Sequence, residues 1–144
     1  MIVHEYSMTA AVDPQVVWDR WTRIDSWPVD TPNIVRARLN GPVAQGAVGW
    51  VKPRRGPRMA FSITDADRTA GHFEIEAKPF LGRLVVERTL ERDGLDGDGQ
   101  QLWELTHRVT FSGPLARLWN RIIGRNLDAT LPGVVSNVAA VAAL

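Results

Sequence analysis

The 144-residue sequence contains no cysteine, and this absence excludes several kinds of chemistry at once. Disulfide bonds, thiolate nucleophiles, thiolate zinc sites and iron–sulfur clusters all require cysteine. Long hydrophobic runs are also missing, since no apolar stretch approaches the roughly 18 residues that a membrane helix needs. The 17 basic and 16 acidic residues leave a formal net charge of +1, without the basic stripe that nucleic acid binding requires. We therefore expect neither a nucleic acid partner nor a membrane span.

Recognisable catalytic and metal-binding motifs are also scarce. The three histidines, His4, His72 and His107, lie far apart without HExxH spacing, so no metal site is predicted. No GxSxG elbow occurs, and the glycine-rich tract 93–99 indicates a hairpin turn because no helix pattern follows it. At the N-terminus, His4 and Glu5 stand where a signal peptide would have an apolar core. We expect no cofactor and a cytoplasmic location.

The apolar content of the chain predicts one domain. Hydrophobic residues make up 44% of the sequence, which suits one substantial core, and the chain is too short for two. We therefore predict a single domain over residues 1–144. Residues 2–10 alternate between apolar and polar side chains, the pattern of a half-buried strand, with Tyr6 and Met8 on the apolar face. His4 falls on the same face.

Two short helices are predicted after this strand. Asp13 and Pro14 form a helix start, because the carboxylate can cap free amides and proline suits the first helical position. Prolines and aspartates in 25–33 then interrupt the pattern, which leaves a second short helical piece around 24–28, anchored by Trp27. The following short runs, separated by glycine or proline turns, are typical of an antiparallel meander. Strands are predicted at 34–39, 47–52, 58–66, 72–78, 81–92 and 101–112.

The last part of the chain has the pattern of a long helix. Apolar residues recur at three- and four-residue steps from Leu115 to Val141, with arginines on the opposite face. One stripe of this helix must be buried, and the sheet is the only large partner for it. Pro132 and Gly133 predict a kink and not a stop, because the stripe resumes in phase beyond them.

This order of elements is the helix-grip arrangement, and several segments match a known superfamily. They are 11–18 (AVDPQVVW), Trp27-Pro28, 39–42, 46–51, Gly56-Pro57, 61–64 and 106–115 (THRVTFSGPL). On these segments the sequence resembles the SRPBCC or START-like superfamily, and within it the polyketide cyclase/dehydrase-type proteins. The resemblance implies an α+β fold in which a curved antiparallel sheet of about seven strands encloses a long C-terminal helix. It also implies an apolar cavity between them for lipids, polyketides or aromatic compounds.

The principal hypothesis is the binding of a hydrophobic small molecule in that cavity, by a monomer or a homodimer. The alternative is a polyketide cyclase, aromatase or dehydratase, since only some members of the superfamily catalyse a reaction; the sequence leaves this open. A third hypothesis is an interaction module, which would need an exposed apolar patch on the convex side of the sheet. The outward strand positions are mostly Glu, Arg and Thr, which does not favour such a patch. The predicted ligand-binding residues are Tyr6, Met8, Trp27, Trp50, Phe61, Ile63, Phe73, Val86, Arg88, Trp103, Leu105, His107, Trp119, Ile122 and Ile123.

Strand parity selects the polar candidates within this set, because alternate side chains point to opposite faces of a sheet. His107 shares the inward face of the last strand with Leu105, and Arg88 shares the inward face of the preceding strand with Val86. His107 is a candidate hydrogen-bonding partner or general acid/base, and Arg88 is a candidate to neutralise a carboxylate or enolate. In the simpler alternative, His107 bonds a backbone group and Arg88 pairs with a carboxylate or extends to the rim.

Other polar and aromatic residues have two interpretations each. Arg54, Arg55 and Arg58 form a basic cluster with two interpretations. It attracts an acidic ligand to the mouth of a cavity, or it is a solvated loop without a binding role. The six tryptophans line a cavity or fill the core. Glutamates at outward strand positions, such as Glu76 and Glu87, are predicted to form cross-strand pairs with arginines.

Overall fold

A computed structural model describes residues 1–144 and contains a seven-stranded sheet, four helices and one short 3-10 turn. In chain order, the elements are β1 (Ile2–Ala10), α1 (Pro14–Thr22), the 3-10 turn (Ile24–Ser26), α2 (Trp27–Asp30), β2 (Ile34–Asn40), β3 (Val48–Pro53), β4 (Met59–Asp67), β5 (His72–Ala77), β6 (Arg83–Leu95), β7 (Gln101–Ser112), α3 (Ala116–Ile122) and α4 (Leu127–Ala142).

All neighbouring strands are antiparallel, in the spatial order β1-β7-β6-β5-β4-β3-β2. The first strand therefore lies beside the last, and α1 and α2 connect the two edges of the sheet. Irregularities in the register occur in β2, β4 and β6, and such bulges bend a strand and increase its twist. The predicted α+β helix-grip architecture with seven strands is confirmed.

The start of α1 forms as its sequence indicates. The Asp13 side chain accepts a hydrogen bond from the backbone N–H of Gln15 at 2.9 Å, and Pro14 occupies the first turn. Val17, Trp18 and Trp21 form its buried face. The predicted second helical piece is the 3-10 turn followed by α2.

The core lies between the concave face of the sheet and the helices. Trp18 meets Phe73 of β5 edge to face, with ring centroids 6.1 Å apart. Along β7, Leu105, Val109 and Phe111 are buried as strand parity predicts. Three of the six tryptophans are buried, at positions 18, 21 and 27, and the first two fill the core without lining the cavity described below.

The C-terminal helical run is interrupted, and the prediction of one helix over 115–141 is wrong on this point. Residues 123–126 separate α3 from α4. A Cβ atom on Gly124 would lie 2.7 Å from Cε2 of Phe111, so only glycine permits the chain to cross β7 this closely. The apolar residues on both sides of the interruption still follow three- and four-residue steps. Hydrophobic periodicity therefore does not predict the break. Pro132 lies inside α4, which continues through it as predicted. None of the helices is both long and hydrophobic enough to traverse a bilayer.

Candidate functional site

A cavity of about 260 Å³ lies between the concave face of the sheet and α4. Of its 24 lining residues, 14 are hydrophobic, and they come from both the sheet and the helices. Ile75, Val86 and Val109 form part of its floor, while Leu131 and Val134 of α4 cover it. Val86 is only half-buried although it faces inward, which agrees with its position at an open space.

The mouth of the cavity lies between the β3–β4 turn and the α3–α4 connection. Arg54, Arg55 and Arg125 line the cavity there and are exposed. The turn is fastened by Lys52, whose Nζ donates hydrogen bonds to the carbonyl oxygens of Pro53 and Gly56, each at 2.7 Å. These bonds hold the basic rim of the mouth in place.

Arg88 and His107 lie at the inner end of the cavity, directly opposite each other on β6 and β7. Both are buried, and Arg88 is only 6% exposed. Neither side chain forms a hydrogen bond or an ion pair with the rest of the chain. None of their nitrogen atoms is completely buried while lacking a hydrogen-bonding partner. Their nitrogens are therefore accessible from the cavity or from a smaller adjoining pocket that both residues also line with Asp30. The simpler alternative, in which both are satisfied by neighbouring groups, does not describe this structure.

The buried acid closest to this pair is already engaged. Both oxygens of Asp30 accept hydrogen bonds from Arg20, from Nε at 2.9 Å and from Nη2 at 2.6 Å. The Arg88 guanidinium instead lies over the Trp27 ring, 5.1 Å from its centroid, as in a cation–π contact. Trp27 is held in position by a hydrogen bond from its Nε1 to the carbonyl oxygen of Trp21 at 2.9 Å.

Burial and mutual repulsion alter the titration of the pair. Burial lowers the pKa of Arg88 to about 10, and the charge of Asp30 opposes this lowering. Burial and the Arg88 charge hold the pKa of His107 well below its ordinary value. At neutral pH the inner end of the cavity therefore contains one fixed positive charge beside a neutral imidazole, which can both donate and accept a hydrogen bond.

The structure brings together some of the fifteen predicted ligand-binding residues and separates others. Six line the cavity: Trp27, Val86, Arg88, His107, Ile122 and Ile123. Six point to the concave side without lining the cavity: Tyr6, Met8, Phe61, Ile63, Phe73 and Leu105. Tyr6 lies beside His107 in register, on the far side from Arg88.

The three remaining tryptophans of that set lie elsewhere. The prediction for Trp50 requires correction, because the inward positions of β3 are Gly49, Val51 and Pro53, and the indole stacks under Arg58 on the other face at 3.9 Å. Trp103 packs against the core near the start of β7, with Arg92 5.6 Å from the centroid of its ring. Trp119 donates from Nε1 to the carbonyl oxygen of Phe80 at 2.8 Å, outside the cavity.

His4 has a structural position. Its Nδ1 lies 2.7 Å from Oδ1 of Asp128 and its Nε2 lies 2.6 Å from Oδ1 of Asn120. The ring also meets Phe111 edge to face. His4 therefore connects β1 to α3 and α4 and does not line the cavity.

Sequence reasoning missed the residues that reach the cavity from irregular segments. Thr31 and Asn33 follow α2, and Arg125 and Asn126 belong to the break between α3 and α4. Hydrophobic periodicity does not predict which way such residues point, since they belong to no strand or helix. Asp30 was also missed, because nothing in the spacing relates it to Arg20.

On the convex face, His72, Glu74 and Glu87 form the one group that could hold a metal ion, with ligand atoms within 4.8 Å of one another. His72 contacts Asp65 through Nδ1 and Glu87 through Nε2. Acidic groups near a protein surface are common without an ion, so this half-buried group supports no assignment. The predicted cross-strand pairs form nearby: Arg83 bonds Glu76 at 2.6 Å, and Arg108 lies 3.6 Å from Glu87.

No protein-family model matches the sequence. No curated protein matches it either. Solved structures do match the fold. A hypothetical protein from Helicobacter pylori has a TM-score of 0.74 at 8% identity, with 98% of this chain and 88% of that chain covered. Zhui aromatase/cyclase from Streptomyces sp. R1128 has a TM-score of 0.62 at 15% identity, with 95% and 93% covered.

Norcoclaurine synthase from Thalictrum flavum, solved with dopamine and hydroxybenzaldehyde, also has a TM-score of 0.62, at 12% identity, with 95% of this chain and 86% of that chain covered. These likenesses define the class of fold: the chain has the helix-grip fold of polyketide cyclase-type proteins. The fold that the resemblance implied is thus confirmed.

Proposed function

We propose that this protein binds a hydrophobic small molecule in the cavity between the sheet and α4. The observation that carries the proposal is a mostly apolar cavity of about 260 Å³ with two polar side chains, Arg88 and His107, at its inner end. Ligand sites typically combine apolar walls with a few placed polar groups. The solved proteins of the same fold, one of them with small aromatic molecules bound, support this function.

The proposal is tested by filling the cavity. Val86 faces it, whereas the adjacent Val85 lies on the opposite face of β6. Val86→Trp should abolish the fluorescence increase of the neutral probe N-phenyl-1-naphthylamine, because the indole occupies the space that the probe needs. Val85→Trp is the matched control and should leave probe binding unchanged. Equal probe binding by both variants would show that the probe does not use this cavity.

A second candidate is catalysis of an aromatase or cyclase type on a polyketide-like chain. It is favoured by the direct pairing of Arg88 with a neutral His107 in the cavity, since a cation stabilises an enolate and an imidazole can move a proton. Binding stands first, because burial and, secondarily, the Arg88 charge lower the pKa of His107 and make it a weak base. His107→Gln separates the two: loss of turnover of a poly-β-keto thioester analogue, with probe binding retained, would establish catalysis.

A further inference from the structure

The charges around the cavity have one sign. Its lining includes four arginines, Arg54, Arg55, Arg88 and Arg125, and no aspartate or glutamate. The whole chain has nearly equal numbers of basic and acidic residues, 17 and 16, so this selection does not follow from composition. A cavity built for a neutral hydrocarbon would not need any of these charges.

No internal carboxylate forms an ion pair with the innermost arginine, although the charge of Asp30 acts on it from a distance. Arg20 binds both oxygens of Asp30, and Asp128, which follows the cavity residue Leu127, contacts His4 and is 83% exposed. Leaving a buried guanidinium without a partner is unfavourable, because the charge loses its hydration and gains no ion pair. An anionic ligand would supply the missing partner.

We propose that the ligand is a compact organic anion that binds head first, with its acidic group at Arg88 and its apolar body toward the mouth. This inference rests on the proposed function and narrows it to one chemical class. The planar guanidinium presents paired N–H donors that match a carboxylate or a sulfonate, and the neutral imidazole of His107 offers one further N–H donor.

The position of the apolar surface supports this orientation. Ile122, Ile123 and Leu127 line the cavity beside the mouth and are half-buried, so an apolar body would cover them. The volume of about 260 Å³ lies just below the roughly 300–1,000 Å³ of drug-sized ligand sites, which is why the ligand should be compact. The exposed rim arginines act differently from Arg88: they attract an anion from solution and are screened by salt.

Two probes that share one ring system test the inference. 1-Anilinonaphthalene-8-sulfonate carries an anionic group, and N-phenyl-1-naphthylamine is the same molecule without it. Arg88→Met should weaken binding of the sulfonate about 10- to 100-fold, the range expected for a lost charge-assisted hydrogen-bonding partner, and should change binding of the neutral probe less than threefold. Arg117→Met, an exposed arginine outside the cavity, is the matched control and should change neither affinity.

Further variants test the orientation. Arg54→Gln combined with Arg55→Gln should slow association of the sulfonate and reduce its salt dependence, while the preference for the anion remains. Arg88→Lys keeps a positive charge but loses the paired N–H donors of the guanidinium, so it should retain part of the preference for the sulfonate over the neutral probe. It also provides a second measurement if Arg88→Met folds poorly. Melting curves recorded without probe confirm that each variant is folded.

The outcomes are distinguishable. If Arg88→Met weakens both probes equally, the anion inference is overturned while the proposed binding function stands. If only the rim variant loses the preference for the sulfonate, the acidic group lies at the mouth and the head-first orientation is wrong. If the unaltered protein binds neither probe, the proposed binding function itself fails.

Discussion

Replacing Arg88 by methionine should make the ligand-free protein more stable, although it removes a buried residue. Methionine keeps an unbranched apolar side chain in the cavity wall and eliminates a charge that has no ion-pair partner. Replacing buried charges by apolar residues of similar volume is often neutral or stabilising. The difference in the free energy of unfolding between Arg88→Met and the unaltered protein therefore measures how much the buried charge destabilises the fold.

The magnitude follows from the titration of the guanidinium. Burial lowers the pKa of Arg88 to about 10, and at about 1.4 kcal/mol per pKa unit this lowering corresponds to an unfavourable free energy of about 3 kcal/mol for the charged form. The lost contact with Trp27 offsets roughly 0.5–2 kcal/mol of that gain. We expect Arg88→Met to raise the free energy of unfolding by about 1–2 kcal/mol, and Tm by roughly 3–8 °C for a chain of this size.

The assay is urea unfolding at pH 7, read by tryptophan fluorescence, on protein stripped of ligand by unfolding and refolding. Arg88→Lys should show no gain, because it retains a buried charge, and Arg117→Met should lie within about 0.5 kcal/mol of the unaltered protein. A loss of 1 kcal/mol or more in Arg88→Met would refute the reasoning, since it would mean that the guanidinium is stabilised within the chain.

Three other perturbations have defined outcomes. Gly124→Ala should lower the free energy of unfolding by about 1–3 kcal/mol in urea titrations, because its Cβ would meet Phe111 at 2.7 Å, whereas Gly133→Ala, which has open space, should not. Asp30→Asn should cost about 1–3 kcal/mol by the same assay, because it leaves the partly exposed Arg20 without its ion-pair partner and withdraws the charge that acts on Arg88; a gain in stability would contradict this. For His72, burial lowers the pKa, but the hydrogen bonds with Asp65 and Glu87 outweigh it and raise the pKa overall. The protonated histidine therefore contributes stability that is complete below its unfolded pKa near 6.5 and is lost as pH rises through the higher folded value. Between pH 5.5 and 8.5, His72→Gln should remove this part of the pH dependence of unfolding, and an unchanged dependence would show that the ion pairs contribute nothing.

The inner end of the cavity was the most predictable part of the site. Alternation along a strand assigns each side chain to a face, so the inward positions of Arg88 and His107 follow from their spacing to Val86 and Leu105. Their direct pairing does not follow, because the register between β6 and β7 depends on the length of the hairpin turn and on the bulge near Arg92.

Aromatic residues were the least predictable part. Trp50 lies outward under Arg58, because the inward positions of β3 belong to Gly49 and Val51, and only the neighbouring strands decide which face of β3 is buried. Trp27 lines the cavity because α2 folds back toward Arg88, and no local pattern encodes that contact.

By itself, the sequence determined most of the elements and the faces of strands such as β6 and β7, because hydrophobic periodicity and turn residues act over short distances along the chain. The helix-grip architecture followed from the order of these elements together with the resemblance to a known superfamily. The tertiary structure alone decided the break at Gly124, the pairing of Asp30 with Arg20 and the absence of an ion pair at Arg88. Each of these depends on contacts between residues distant in sequence, and short-range patterns carry no information about which distant groups meet.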